Sequence, residues 1–275
     1  MIKKFIMILG LICSLSTLAH AKQLISGSDT MAGLMTDAII AAGMQEDIGY
    51  VGGGSGVGEK ALLNSEIGLT AMSREMKPEV QNQLIAQGVS VTGYVVALDG
   101  LGIFVNNSNT TVGIDFALLA KIYTCEVRNW DQIPGSGKVG LINVFRRNDQ
   151  SGTTDTFKNL VGVKAFGACV TVVNETLDIA EKTATDVNAM GYAGLSGKKE
   201  GNRTLAIAKD TASQYVIPAT ATIRNQTYPL ARKLFIYSVS GTRAMNKSES
   251  SLLEQLTDRS FMDPIVQDPD FITVD

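Results

Sequence analysis

Along most of the chain one local pattern repeats: a short apolar run, a cluster of small polar residues, then apolar positions three and four apart. "KQLISGSD" reads as a short buried strand ending in a turn, and in "TMAGLMTDAIIAAG" Met31, Leu34, Met35, Ala38, Ile39 and Ala42 fall at helical spacing before Gly43 stops the helix. In "IGYVGGGSGVGEKALLN" a strand runs into glycines, and Ser55 is placed to cap a helix carrying Ala61, Leu62 and Leu63. The pattern returns in "VGLINVFRRNDQSGTTDTFKNLV", with a strand over 139–145 and a helix from about Thr153. Such alternation predicts an α/β fold with largely parallel sheets. Two longer β-rich stretches interrupt it, "VSVTGYVVALDGLGIFVNN" near 89–107 and "TIRNQTYPLARKLFIYSV" near 222–239. They read either as paired crossing strands or as two ordinary strands of one sheet. In the first case the chain builds one lobe from 22–96 and a second from 97–225, and 226–275 return to the first.

Composition narrows the setting. A hydrophobic content of 45% over 275 residues excludes a wholly disordered chain and leaves room for two domains. The opening "MIKKFIMILGLICSLSTLAHA" has two lysines, a short apolar run broken by Ser14, Ser16 and Thr17, and a small-x-small site at Ala19-His20-Ala21. It reads as an export signal over residues 1–21 cleaved near Ala21, rather than as a membrane anchor. Ile12 before Cys13 argues against lipidation. Cleavage leaves 22 basic against 27 acidic residues, a net −5, and removes the single histidine, His20. Histidine-based triads and imidazole metal sites are then excluded by inventory. Cys125 and Cys169 remain, and in an exported chain an even pair most simply forms one disulfide, the alternative being two buried thiols. The acidic balance argues against nucleic acid. No later segment is apolar for long enough to insert in a membrane.

Three loops carry candidate chemistry. A helix start leaves amide N–H groups without partners and holds about half a positive charge, so it can receive an anion without a basic side chain. In "GSDTM" the hydroxyl of Thr30 and the amides of Thr30 and Met31 are available. In "GGGSGVG" Ser55 follows Gly52, Gly53 and Gly54, which let backbone approach a ligand closely. In "RRNDQSGTT" Ser151 and Thr153 offer hydroxyls, Gly152 an unobstructed amide, and Arg147 a two-pronged guanidinium. Each loop alone reads more simply as a helix cap or a tight turn, and Arg146 and Arg147 as surface ion pairs; the specificity lies in three such loops in one chain. The glycine loop completes no dinucleotide or Walker spacing and no nucleophile elbow.

"GSDTM", "GGGSGVGEKAL", "IGLTAMSREMK", "LAKIYTCEVRNWDQI" and "RRNDQSGTTDTF", in that order behind an export signal, resemble the extracytoplasmic phosphate-binding proteins of ABC importers. The resemblance runs from Ile25 to "AMGYAGLS" at 189–196. It implies a two-lobe periplasmic binding protein of the crossing-strand type (type II), each lobe a mixed sheet flanked by helices. The ligand would be inorganic phosphate, and the partner an inner-membrane ABC permease. It also implies a monomer, no cofactor, no metal and no catalysis. The implied contacts are Thr30, Met31, Ser55, Ser73, Arg74, Arg147, Ser151, Gly152 and Thr153, with Trp130 a structural marker. One departure stands out: several relatives carry an acid after the serine matching Ser73, whereas here Arg74 follows. That acid accepts the proton that distinguishes phosphate from sulfate. A second arginine would strengthen anion binding and weaken that discrimination unless an acceptor such as Asp29 or Asp149 reaches the site. The other reading of Arg74 is a salt bridge to Glu75 or Glu79 on a surface helix. The C-terminal part is short for the family and reads as a reduced closing segment of the first lobe. Alternatives are a receptor for sulfate or arsenate, an exported phosphatase using Ser151 or Thr153, and an adhesive or sensing role on the same scaffold.

Overall fold

A computed structural model describes residues 22–267 and 271–274, so the expected leader lies outside the described residues. β1 (Gln23–Ser26) leads through a 3₁₀ turn at Asp29–Met31 into α1 (Ala32–Ala41), and β2 (Ile48–Val51) leads into α2 (Ser55–Leu63). β3 (Leu69–Met72) and α3 (Pro78–Ala86) precede the longest strand, β4 (Val89–Asn106). Next come β5 (Gly113–Asp115), α4 (Phe116–Tyr123), β6 (Asn143–Arg147), α5 (Gly152–Val161), β7 (Val170–Val173), α6 (Thr176–Thr185) and β8 (Ala189–Gly194). β9 (Asn202–Thr204), β10 (Ala206–Ala208), α7 (Thr220–Arg224), β11 (Ala231–Gly241), α8 (Lys247–Thr257) and α9 (Arg259–Gln267) follow.

β4 and β11 form one antiparallel ribbon, from Val89 opposite Gly241 to Gly100 opposite Ala231, with one register shift at Leu234/Phe235. The main sheet runs β3-β11-β4-β8-β6-β7, with β9 also on β4. Its β3, β11, β4, β8 and β9 pairings are antiparallel, whereas β6 runs parallel to β7 and β8. Two further parallel pairs, β1–β2 and β5–β10, stand apart. The expectation of largely parallel sheets is therefore corrected. Parallel units occur where a strand, helix and strand follow one another, but β11 returns alongside β4 and must run against it. Two boundaries also move. The stretch 222–230 begins in α7, and β6 starts at Asn143 because Gly140 turns the chain at a φ of 89°.

The ribbon changes core along its length. Val89 packs with Leu62, Met72 and Leu84; Ala97 packs with Ile25, Leu34, Met35 and Ile236; Leu98, Leu101, Ile103 and Val105 join Trp130, Phe157 and Tyr192. On β11 the same change falls between Leu230 and Leu234. Leu252, Leu256, Met262 and Val266 of α8 and α9 pack on the core that holds Ala97. Trp130 is fully buried, its Nε1 donating to the Asn188 carbonyl at 3.0 Å. The backbone thus passes from one core to the next at positions 97–98 and 230–234, and the loops discussed below meet at that junction.

Cys125 and Cys169 form a disulfide with a Cα separation of 6.0 Å that spans 44 residues of sequence. Closing a loop of that length limits the unfolded chain and contributes about 4 kcal/mol in the chain-entropy picture. Replacing both cysteines by alanine is expected to lower unfolding free energy by about 2–4 kcal/mol in denaturant titrations, with the far-ultraviolet dichroism of the native state retained.

Candidate functional site

The three loops come together. α2 begins at Ser55, and Gly54 before it adopts a φ of 129° and lies so close to the Gln150 carbonyl that any Cβ would collide with it. The Gly56 amide donates to that same carbonyl at 3.0 Å. Ser55 is thus the first helical residue rather than a cap, which frees its side chain. Its Oγ accepts from the Ser73 amide at 3.1 Å and lies 3.4 Å from Ser73 Oγ. Gly152, first residue of α5, presses against both hydroxyls, so that a Cβ there would run into Ser55 Oγ. Ser151 precedes α5 without a side-chain capping bond. Thr30 Oγ1 and Thr153 Oγ1 stand 3.1 Å apart. Thr30, Ser55, Ser73, Ser151 and Thr153 are all buried.

Arg147 ends β6 at 1% exposure, placed by the strand that feeds α5. Its Nε donates to the Asn174 carbonyl at 2.8 Å, and its Nη1 donates to Asp29 Oδ2 and Thr176 Oγ1, each at 2.9 Å. Its Nη2 is buried and has no hydrogen-bond partner among the described residues. An unmatched N–H on a buried cation costs more than a neutral one, which makes it an informative atom. Burial pushes the guanidinium pKa below its usual value, opposed by Asp29.

Two of the expected contacts are engaged elsewhere. The Met31 amide donates to the Ser28 carbonyl at 3.2 Å, and the Met31 side chain fills the core of α1. Arg74 does not turn toward the serines. Nη1 and Nη2 reach Glu59 at 2.6 and 2.8 Å, Nε reaches Asp155 at 2.8 Å, and Nη1 also donates to the Glu75 carbonyl. Of the two acids considered as substitutes, Asp149 pairs with Arg146 and its side chain is 74% exposed. Asp29 sits beside Thr30 and takes the Arg147 pair and the Thr176 amide on Oδ2.

A family model described as the PBP superfamily domain matches residues 16–255. The chain belongs to this family. It is 27% identical over 259 residues to the phosphate-binding protein PstS of Pseudomonas aeruginosa, covering 88% of this chain and 80% of that one. Among solved structures it is similar to a putative phosphate ABC transporter substrate-binding protein of Clostridium perfringens with bound phosphate. That likeness has a TM-score of 0.79 at 22% identity, over 92% of this chain and 100% of the other. An ABC-type phosphate transport receptor of Vibrio cholerae gives 0.72 at 21% identity, with coverages of 92% and 100%.

On this PBP scaffold one pair escaped the sequence reading. Arg232 of β11 lies opposite Asp99 of β4, and its Nε and Nη2 donate to Asp99 Oδ2 at 2.8 and 2.6 Å. Its Nη1 donates to Thr153 Oγ1 at 2.9 Å and its Nη2 to Thr30 Oγ1 at 3.5 Å. Both side chains are buried, at 4% and 0% exposure. A lone buried charge is costly, so Arg232→Met alone is expected to lose about 3–5 kcal/mol of stability by denaturant titration. Arg232→Met combined with Asp99→Leu is expected to recover most of it, because no orphaned charge remains.

Proposed function

We propose that this chain is an exported receptor that encloses inorganic phosphate between two lobes and delivers it unaltered to an ABC permease. The observation that carries this reading is the buried Arg147 Nη2, which has no protein partner and belongs to a cluster of helix starts and hydroxyls. Arg147 enters that cluster through Asp29, the neighbour of Thr30, and Thr30 in turn meets Thr153. The contacts would be Thr30, Ser55 and Ser73 from one lobe and Arg147, Ser151, Gly152 and Thr153 from the other. The relatives' names support phosphate as the ligand, and the disulfide fits an oxidising compartment.

Such a site holds rather than transforms. A dianion gives up strong hydration on entering it. The replacement is roughly ten hydrogen bonds, charge-assisted ones contributing about 1.5–3 kcal/mol each. Donors alone would serve sulfate equally well. The proton of HPO4(2−) needs an acceptor, and Asp29, next to Thr30 in the chain and paired with Arg147, is a carboxylate placed to supply one. Its Oδ1 takes no hydrogen bond among the described residues, whereas Oδ2 takes two.

Arg147→Ala is expected to weaken phosphate binding by at least about 2 kcal/mol in calorimetry, since the buried anion loses its cation, while the fold persists. Unchanged affinity in that variant refutes the assignment. Asp29→Asn is expected to narrow the preference for phosphate over sulfate in competition titrations at two pH values.

A further inference from the structure

Arg74 stands where several relatives place an acid, and its partners give it a definite task. Glu59 lies four residues after Ser55 on α2, and Asp155 four residues after Ser151 on α5. Both carboxylates therefore sit one turn behind the helix starts that face the cluster. Arg74 joins them, with its side chain 9% exposed against 4% for Glu59 and 19% for Asp155. Lys77 strengthens the joint, its amide donating to Glu59 Oε1 at 2.9 Å and its Nζ reaching Asp155 Oδ2 at 3.3 Å. Burial opposes the charge of Arg74, but Glu59 and Asp155 more than offset it and hold its pKa above the usual arginine value. With four of its N–H groups directed to these acids and to the Glu75 carbonyl, little of Arg74 remains for a ligand.

The two halves of the joint differ in kind. α2 packs on the core of Met72 and Leu84, and α5 on the core of Trp130 and Tyr192. The Arg74–Glu59 contact therefore stays within one body, while Arg74–Asp155 crosses between bodies. We propose that Arg74 is a positioning residue, a latch across the cleft that registers the start of α2 against the start of α5 and favours the closed form even before an anion arrives. An acid at position 74 could not take this place, because it would face Glu59 and Asp155 as a third negative charge. The inference rests on the two-lobe reading above and extends it: residue 74 acts on closure, and ligand choice lies with other groups.

Asp155→Asn tests this cleanly, because Arg74 keeps Glu59 and no buried charge is orphaned. Spin labels at Ile85→Cys on α3 and Leu177→Cys on α6, both exposed positions, report the distance between the bodies. Without ligand, Asp155→Asn is expected to shift the distance distribution toward longer separations, and Asp155→Glu to restore part of the short population. In stopped-flow measurements phosphate should dissociate about fivefold faster from Asp155→Asn, as for loss of one partly buried ion pair, with the phosphate-to-sulfate affinity ratio unchanged. Identical distances and dissociation rates in wild type and Asp155→Asn overturn the latch. So does a changed phosphate-to-sulfate ratio in Arg74→Lys, which would place residue 74 on the anion. Should the wild type bind no phosphate, the ligand assignment fails, and the ligand-free distances still decide the latch.

Discussion

A guanidinium that is buried, held on three sides and left with one unmatched nitrogen sets the terms for the rest of the structure. Arg147 is fixed by Asn174, Thr176 and Asp29, so it cannot swing toward water to complete its hydrogen bonds. The strand that carries it runs into α5, and the strand and loop that precede α2 end against the same loop at Gln150. Donors fixed in advance need no reorganisation when an anion enters, so the proposed phosphate site does not depend on the sign of the net charge. Local dipoles and the buried Arg147 and Arg232 act at short range inside the cluster, whereas solvent screens the diffuse charge of the surface.

Around that centre the charges form two arrangements with separate work. Asp29–Arg147 and Asp99–Arg232 lie within the cluster, and both tie threonine hydroxyls or the Thr176 amide into it. Arg232 donates to Thr153 and Thr30, and the two hydroxyls also bond each other, so one hydroxyl proton of the pair is left to donate outward. Glu59 and Asp155, one turn back on their helices, are joined by Arg74 and Lys77 from the segment between β3 and α3, and this set holds the helices rather than the contents. The β4–β11 ribbon carries the Asp99–Arg232 pair of the first set and changes core at Ala97 and Leu98.

Much of this could be read from residue spacing. The helix of "TMAGLMTDAIIAAG", helices beginning near Ser55 and Thr153 and two long β-rich stretches announce themselves by local periodicity and glycine placement, which neighbours in sequence decide. The rest turns on distant partners. Ser55 is a cap candidate until Gly54 meets Gln150, 96 positions away by sequence number. Arg74 offers Glu75 and Glu79 as local partners, and the fold instead supplies Glu59 and Asp155. Asp99 and Arg232 did carry a signal, opposite charges on two stretches expected to pair, but only the register of the ribbon sets them face to face. The sheet direction misled for the same reason: adjacent βαβ units are parallel, and the returning strand that joins them is a matter of topology.

The most direct measurement is diffraction from crystals of the protein grown in saturating phosphate. Tetrahedral density is expected within about 3 Å of Arg147 Nη2, of the amides of Ser55, Gly152 and Thr153, and of the Thr30 hydroxyl. Density bound elsewhere, or a cluster in which Arg147 Nη2 has turned to a protein carbonyl and no anion is enclosed, would contradict the convergence of helix starts and guanidinium on one guest.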